Sequence, residues 1–163
     1  MIDLKEMKPE HWGQVKDIYE QGIITGNATF ETKSPEWEDW DKAHLKTCRL
    51  VAVENNKVIG WAALVPVSSR CVYAGVAENS IYISESARGK GIGRQLLQFL
   101  IEESEAENIW TLQTGIFPEN KASIKIHEDC GFRIIGLRER IGKMNEIWRD
   151  TVLLERRSIK VGV

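Results

Sequence analysis

Six residues constrain this chain more than any others: Arg88-Gly89-Lys90-Gly91-Ile92-Gly93. They follow an alternating stretch, Ser80 to Ser84, and open an apolar stripe at helical spacing, Ile92, Leu96, Phe99 and Leu100. A strand that turns through glycines directly into an amphipathic helix is a β-α unit, which points to a mixed α/β fold. Glycines let the backbone approach a ligand closely and aim its N–H groups at one point. The helix starting there adds the positive end of its dipole, so the turn suits a pyrophosphate. Two bases within the same six residues favour that reading over a ligand-free glycine turn. Two other phosphate loops fail on spacing. The dinucleotide pattern G-x-G-x-x-G ends on Arg94 when begun at Gly89 and on Leu96 when begun at Gly91; the P-loop needs Gly-Lys before Ser or Thr, and here Lys90 precedes Gly91.

Around that turn the chain reads as β-α-α-β-β-β-α-β-α-β-β. Residues 2–7 look like a strand, and Pro9 stands where helix entry is favoured, ahead of Trp12, Val15, Ile18 and Tyr19 at helical spacing. Residues 22–32 read as a loop. Ser34-Pro35 reads as cap and first turn of a helix running to about Cys48. A hairpin follows, 50–53 and 58–65, turning at Asn55-Asn56. Residues 66–77 are less regular. On the strand through 80–84, Ile81 and Ile83 share one face and Tyr82 takes the other. A helix spans about 91–106 and a strand 109–117; Pro118-Glu119-Asn120 opens a helix that Gly131 ends. Two strands, about 132–139 and 146–156, close the chain.

Bulk properties exclude several function classes. With 163 residues, 42% of them hydrophobic, the chain fills one core, and without repeats or linkers residues 1–163 read as a single domain. A net charge of -2 argues against a polybasic nucleic-acid binder. No stretch approaches the ~20 apolar residues of a membrane span, and Met1 to Glu10 lacks a signal-peptide core. Cys48, Cys71 and Cys130 are odd in number and far apart, which fits free thiols in a reducing cytoplasm. His11, His44 and His127 share no metal-ligand spacing, so no metal is expected.

Arg88-x-x-Gly91-x-Gly93 resembles the (Gln/Arg)-x-x-Gly-x-(Gly/Ala) signature of the GNAT acetyltransferases. Asn120-x-Ala122-Ser123 with Glu128-x-x-Gly131-Phe132 resembles their second signature. Gly26 to Thr32, Ala77 to Ser84, Ile126-His127-Glu128 and Trp148-Arg149-Asp150 are similar to the phosphinothricin/methionine sulfoximine N-acetyltransferases, and the likeness runs from about residue 4 to 157. It implies a mixed, largely antiparallel sheet flanked by helices, whose central strands splay to admit acetyl-CoA. Ile81, Tyr82 and Ile83 would flank the pantetheine through backbone hydrogen bonds. Arg88, Gly89, Lys90, Gly91, Ile92, Gly93 and Arg94 would hold the pyrophosphate, and Asn120 and Ser123 would contact the CoA arm. The same likeness implies that Phe30, Thr32, Arg70, Tyr73 and Glu78 shape the substrate pocket, and that the chain forms a homodimer whose partner helps close it.

Two residues are candidates for proton transfer. His127 stands where many GNAT enzymes carry a tyrosine that protonates the leaving thiolate. Helical spacing puts it on one face with Asn120 and Ser123, with Ala122 and Ile126 turned toward the core. It is also readable as a solvated helix histidine. Glu78 shares the parity of Tyr82 and is readable either as the base that deprotonates the substrate ammonium or as a strand-end surface charge. Arg70, Tyr73, Phe30 and Thr32 each have an ordinary surface or packing reading as well. The expected activity is acetyl transfer from acetyl-CoA to the amine of a small amino-acid-like compound by direct attack. Another amine (a different amino acid, a polyamine-like metabolite or a protein N-terminus) and a non-catalytic CoA-binding sensor are the alternatives.

Overall fold

The computed structural model describes residues 1–163. Its strands are β1 (Ile2–Glu6), β2 (Leu50–Glu54), β3 (Lys57–Pro66), β4 (Val76–Ile83), β5 (Thr111–Ile116), β6 (Arg133–Met144) and β7 (Ile147–Arg157). They form one sheet in the order β1-β2-β3-β4-β5-β7-β6, antiparallel throughout except between β4 and β5. Four helices cover it: α1 (Trp12–Ile24), α2 (Trp37–Ala43), α3 (Ile92–Ala106) and α4 (Lys121–Asp129). The element order is the one the sequence predicts.

Period-two alternation explains the layering. Val51, Val53, Trp61 and Ala63 face α1 and α2, packing with Val15, Ile18 and Trp40. Leu50, Ala52, Ala62 and Leu64 face the other way, onto Leu96, Leu97 and Leu100 of α3. With both faces covered, β2 and β3 read as nearly continuous apolar runs. Their hairpin turns on Asn55 and Asn56 at φ of 51° and 61°, and the hairpin between β6 and β7 turns on Asn145 and Glu146 at 50° and 65°. Both have the positive-φ pair of a two-residue type I′ turn.

The second helix departs from expectation. It spans seven residues, with Glu36 rather than Ser34 at its N-cap. The Ser34 hydroxyl instead donates to Glu20 across 2.7 Å. The chain leaves the helix at His44 in an extended conformation, and Leu45 N–H donates to the Leu64 carbonyl at 2.8 Å. Buried Arg49 then ties the segment down, bonding the Asp41 carboxylate at 2.6 Å and the Leu45 carbonyl at 2.6 Å. Tertiary anchoring ended a helix that local capping signals would have prolonged.

The junction of β4 and β5 positions the site. These strands pair over only three positions, Val76↔Thr111, Ala77↔Leu112 and Glu78↔Gln113. Beyond Glu78, β4 stays on β3 as far as Ile83, while β5 stays on β7 as far as Ile116. The two strands therefore fork, leaving one edge of β4 without a strand partner from Asn79 onward.

Candidate active site

A groove fills the fork. Its inner part is a cavity of about 220 Å³ lined by Glu78 to Tyr82, by Thr114 to Phe117, and by Ala28 to Phe30, with Asn120, Ser123, His127 and Thr151. Its outer part, about 410 Å³, runs past Ile83, Arg88 and Gly93 and along the start of α4. Ala28, Ile81, Tyr82, Asn120, Ser123 and His127 line both, so the two are continuous.

Backbone chemistry dominates the outer part. Ser84 N–H donates to the Ile59 carbonyl at 2.9 Å. By alternation the polar groups of Tyr82 also face β3, and those of Ile81 and Ile83 face the groove. At the glycine turn, Gly89 and Gly91 have φ of 76° and 77°, values that side chains with a Cβ rarely adopt. A Cβ at either would meet nothing within 4 Å, so both backbones border open space. Gly91 is the N-cap of α3 and supplies no side-chain cap, leaving the first-turn N–H groups directed outward. Gly93 serves packing instead, since a Cβ there would lie 3.1 Å from Ile126 Cδ1 and glycine lets α3 approach α4. Ile92 is buried core, and only its backbone faces the turn. Arg88, Lys90 and Arg94 are exposed cations around these amides.

His127 is 3% exposed and is the one buried residue of α4, which rules out the solvated reading. Its Nδ1 lies 2.7 Å from the Ser123 carbonyl oxygen, its Nε2 lies 2.9 Å from Asn79 Nδ2, and Phe132 meets the ring edge-on. Burial pushes its pKa below the ordinary histidine value, against a smaller opposite effect of the Ser123 bond. Tyr82 stacks on Trp61 and Tyr19, and burial holds its hydroxyl well above the usual tyrosine value. Asn120 caps α4, accepting from Ser123 N–H at 3.2 Å, and donates to the Asn27 carbonyl at 3.2 Å, so both ends of its amide are engaged. Ile126 turns onto the core as helical spacing suggests, half-buried against it, but Ala122 does not. Ala122 is exposed, and both line the outer groove because α4 is its wall.

Loop 25–32 closes the inner cavity. Arg149 donates to the Gly26 carbonyl at 2.8 Å and to Asn27 Oδ1 at 2.9 Å, pairs with Glu119 at 3.2 Å, and stacks 3.9 Å over Phe117. Phe30 meets Phe117 edge-on at 4.8 Å. Of the expected substrate contacts, Phe30 and Glu78 line this cavity, whereas Thr32, Arg70 and Tyr73 do not. Arg70 instead sits 5.4 Å over the Tyr73 ring on an exposed segment. The sequence reading missed Asn79, Thr114 and Thr151 as lining residues. The signal for Asn79 was legible: it is a polar residue sharing the inward parity of Ala77, Ile81 and Ile83. No three His, Cys, Asp or Glu side chains gather as a metal site, and no helix is long and apolar enough to cross a membrane.

A forked sheet with an uncapped glycine turn at its mouth is the architecture of an acyl-CoA-dependent acyltransferase. Residues 9–132 match the acetyltransferase (GNAT) family, and the chain belongs to it as an acetyl-CoA-dependent N-acetyltransferase. It is 32% identical over 145 residues to the phosphinothricin N-acetyltransferase of Alcaligenes faecalis, covering 85% of this chain and 74% of that one. An L-methionine sulfoximine/L-methionine sulfone acetyltransferase of Pseudomonas aeruginosa is 36% identical over 99 residues, 61% of this chain and 58% of its own. The crystal structure of a GNAT superfamily phosphinothricin acetyltransferase from Sinorhizobium meliloti in complex with AcCoA superposes with a TM-score of 0.87. It has 26% identity and covers 99% of this chain and 90% of its own.

Proposed function

We propose that the chain acetylates the amine of a small amino-acid-like compound of the phosphinothricin, methionine sulfoximine or methionine sulfone type, by direct attack in a ternary complex. The observation that carries this reading is the fork itself, with Glu78 at its apex and His127 buried where the inner and outer grooves meet. The outer groove takes acetyl-CoA. Groove-facing backbone groups of Ile81 and Ile83 flank the pantetheine beside Tyr82. The turn from Arg88 through Gly89, Lys90, Gly91, Ile92 and Gly93 to Arg94 takes the pyrophosphate, and Asn120 and Ser123 border the arm. The bound thioester supplies an electrophilic carbonyl. Glu78 removes a proton from the substrate ammonium, the freed amine attacks that carbonyl, and the N–H near Ile83 faces the developing oxyanion. The C–S bond then breaks, the attacking nitrogen gives up its second proton and the thiolate takes one up, a transfer carried by His127, which lines both parts of the groove and is neutral at rest.

Thiol release from acetyl-CoA against a panel of amines tests this. Turnover is expected with phosphinothricin or the methionine derivatives. A second reading rests on one observation: Glu78 is the sole charged side chain lining the inner cavity. That lining suits a cationic amine without acid groups, and preferential turnover of polyamines would support it. No thiol release with any amine would leave a CoA-binding sensor.

Cofactor binding is separately testable. A Gly91→Val variant places a β-branched side chain at a φ of 77° facing open groove, at a cost of about 1–3 kcal/mol if the turn is kept. Acetyl-CoA affinity measured by calorimetry is expected to fall roughly 10–100-fold. Unchanged affinity in the folded variant would remove the turn from the binding site.

We also read residues 1–163 as one domain acting in the cytoplasm as a homodimer whose partner helps close the substrate pocket. Three unpaired cysteines fit a reducing compartment. Exposed Ile134, Ile135 and Leu137 of β6 and Ile147 and Trp148 of β7 offer apolar contact area, and the pocket-shaping roles of Arg70, Tyr73 and Thr32 would be played from outside the cavity. Light scattering is expected to give twice the chain mass of 18.6 kDa; a monomer at assay concentration overturns the dimer.

A further inference from the structure

The proposed reaction uses His127 but not the residue that holds it. Asn79 is buried on β4, one residue beyond the fork, with its Nδ2 2.9 Å from His127 Nε2. The partner of His127 Nδ1 is a carbonyl oxygen, that of Ser123, which can only accept. Nδ1 therefore carries the ring hydrogen, and in the neutral ring Nε2 is a bare acceptor that an Asn79 N–H fills. The other end of the amide, Oδ1, is buried without a hydrogen-bond partner. Such orphans are few in native proteins and call for an explanation.

We propose that Asn79 is a positioning residue with two settings that guards the exchangeable nitrogen of His127, whose tautomer the Ser123 carbonyl sets. In the setting seen here, the amide N–H occupies Nε2 and the ring is held neutral as the Nδ1–H tautomer. An imidazolium would point an N–H at Nδ2, so protonation of Nε2 requires the amide to turn over and offer Oδ1 as acceptor. Carboxamide N and O differ little in size, and no partner locks Oδ1 in place, so the turn needs no repacking. With Nδ1 committed to Ser123, every proton that enters or leaves the ring passes through Nε2, where Asn79 stands. The inference rests on the proton-carrying role of His127 given above.

Other charges around the ring do not take over this role. Glu78 and Tyr82 line the same groove with the opposite strand parity to Asn79, and Arg88, Glu119 and Lys121 line its outer part. On neighbouring elements, Arg94 lies toward Asp129 and Arg133 pairs with Glu155. None of them contributes to the shift at His127, which comes from burial and the Ser123 bond.

Nitrogen NMR of the full chain labelled at histidine, titrated over pH without substrate, tests the proposal, with His127→Ala used to assign the signals. In wild type at neutral pH, His127 is expected as the Nδ1–H tautomer. Asn79→Asp places a carboxylate on Nε2 and is expected to raise the His127 titration midpoint by a pH unit or more. Asn79→Leu removes the acceptor that the imidazolium needs and is expected to lower it. The acid limb of the kcat/KM profile should move with the midpoint in each variant. An Nε2–H tautomer in wild type, or an unchanged midpoint in either folded variant, overturns the proposal. Because the ring is read without substrate, failure of the amine panel leaves this result standing, and the converse holds too.

Discussion

Replacing Glu78 by Gln is expected to lower kcat by roughly 10²–10⁴, the range of a positioned general base. The amine of an amino-acid-like substrate is ammonium at neutral pH, and only the neutral amine has a lone pair for the thioester carbon. Glu78 sits at the last paired position of β4 and β5, is exposed to solvent and lines the inner cavity, where the proposed reaction would place the amine. The Gln side chain keeps the size and a hydrogen-bonding oxygen but cannot take up the proton. Acetyl-CoA affinity should stay at the wild-type value, because the outer groove does not include this residue. A pH profile of kcat/KM is the decisive measurement. A Gln variant with wild-type turnover and an unchanged profile would return Glu78 to the surface-charge reading.

His127→Ala is expected to cost a similar factor, roughly 10²–10⁴ in kcat, with a different pH signature. The depressed pKa means that the ring rests neutral at pH 7, so it must receive a proton during turnover before passing one on. Its acid limb in kcat/KM therefore lies below the ordinary histidine value of about 6.5, and the variant should lose that limb. Stability is linked to the same shift. Below the unfolded-state pKa the unfolded chain binds the proton that the buried ring resists, so the folded state loses stability as pH falls through that window. The loss levels off once pH is below the folded-state pKa. The alanine variant should lack this part of the acid sensitivity, read as a smaller drop in Tm between pH 7 and pH 5. Equal Tm drops in both proteins would contradict the burial account, and wild-type kcat would contradict the catalytic one.

Those features rest on a fold that was largely legible in the sequence where local chemistry decides structure. Asn55-Asn56 specifies its hairpin because few residue pairs accept two positive φ values. The glycine turn announces a strand-to-helix junction because it lies between an alternating stretch and an apolar stripe at helical spacing. What stayed hidden depends on partners distant in sequence. Helix α2 stops early because Arg49 and the Leu64 carbonyl claim groups that a longer helix would have used. Ala122 looks inward by periodicity and is exposed because the sheet opens into a groove beside it. Arg70 and Tyr73 came from resemblance alone, and on this chain they lie away from the cavity. His127 was visible as a position, but its neutrality and its tie to Asn79 appear only when β4 and α4 are brought together.

Arg149 gives the loop at the mouth of the cavity a division of labour. The residues that anchor the loop are Gly26 and Asn27, held by the guanidinium from β7 and by Asn120 from α4. The residues that touch the cavity are the next three, Ala28, Thr29 and Phe30. Mutation can therefore sample new side chains at 28–30 while the attachment of the loop stays intact. Selection for a different amine has three neighbouring codons on which to act, Phe30 being the costliest because its ring also packs edge-on against Phe117. A family that acetylates many small amines can diversify in this way without inventing a new frame each time.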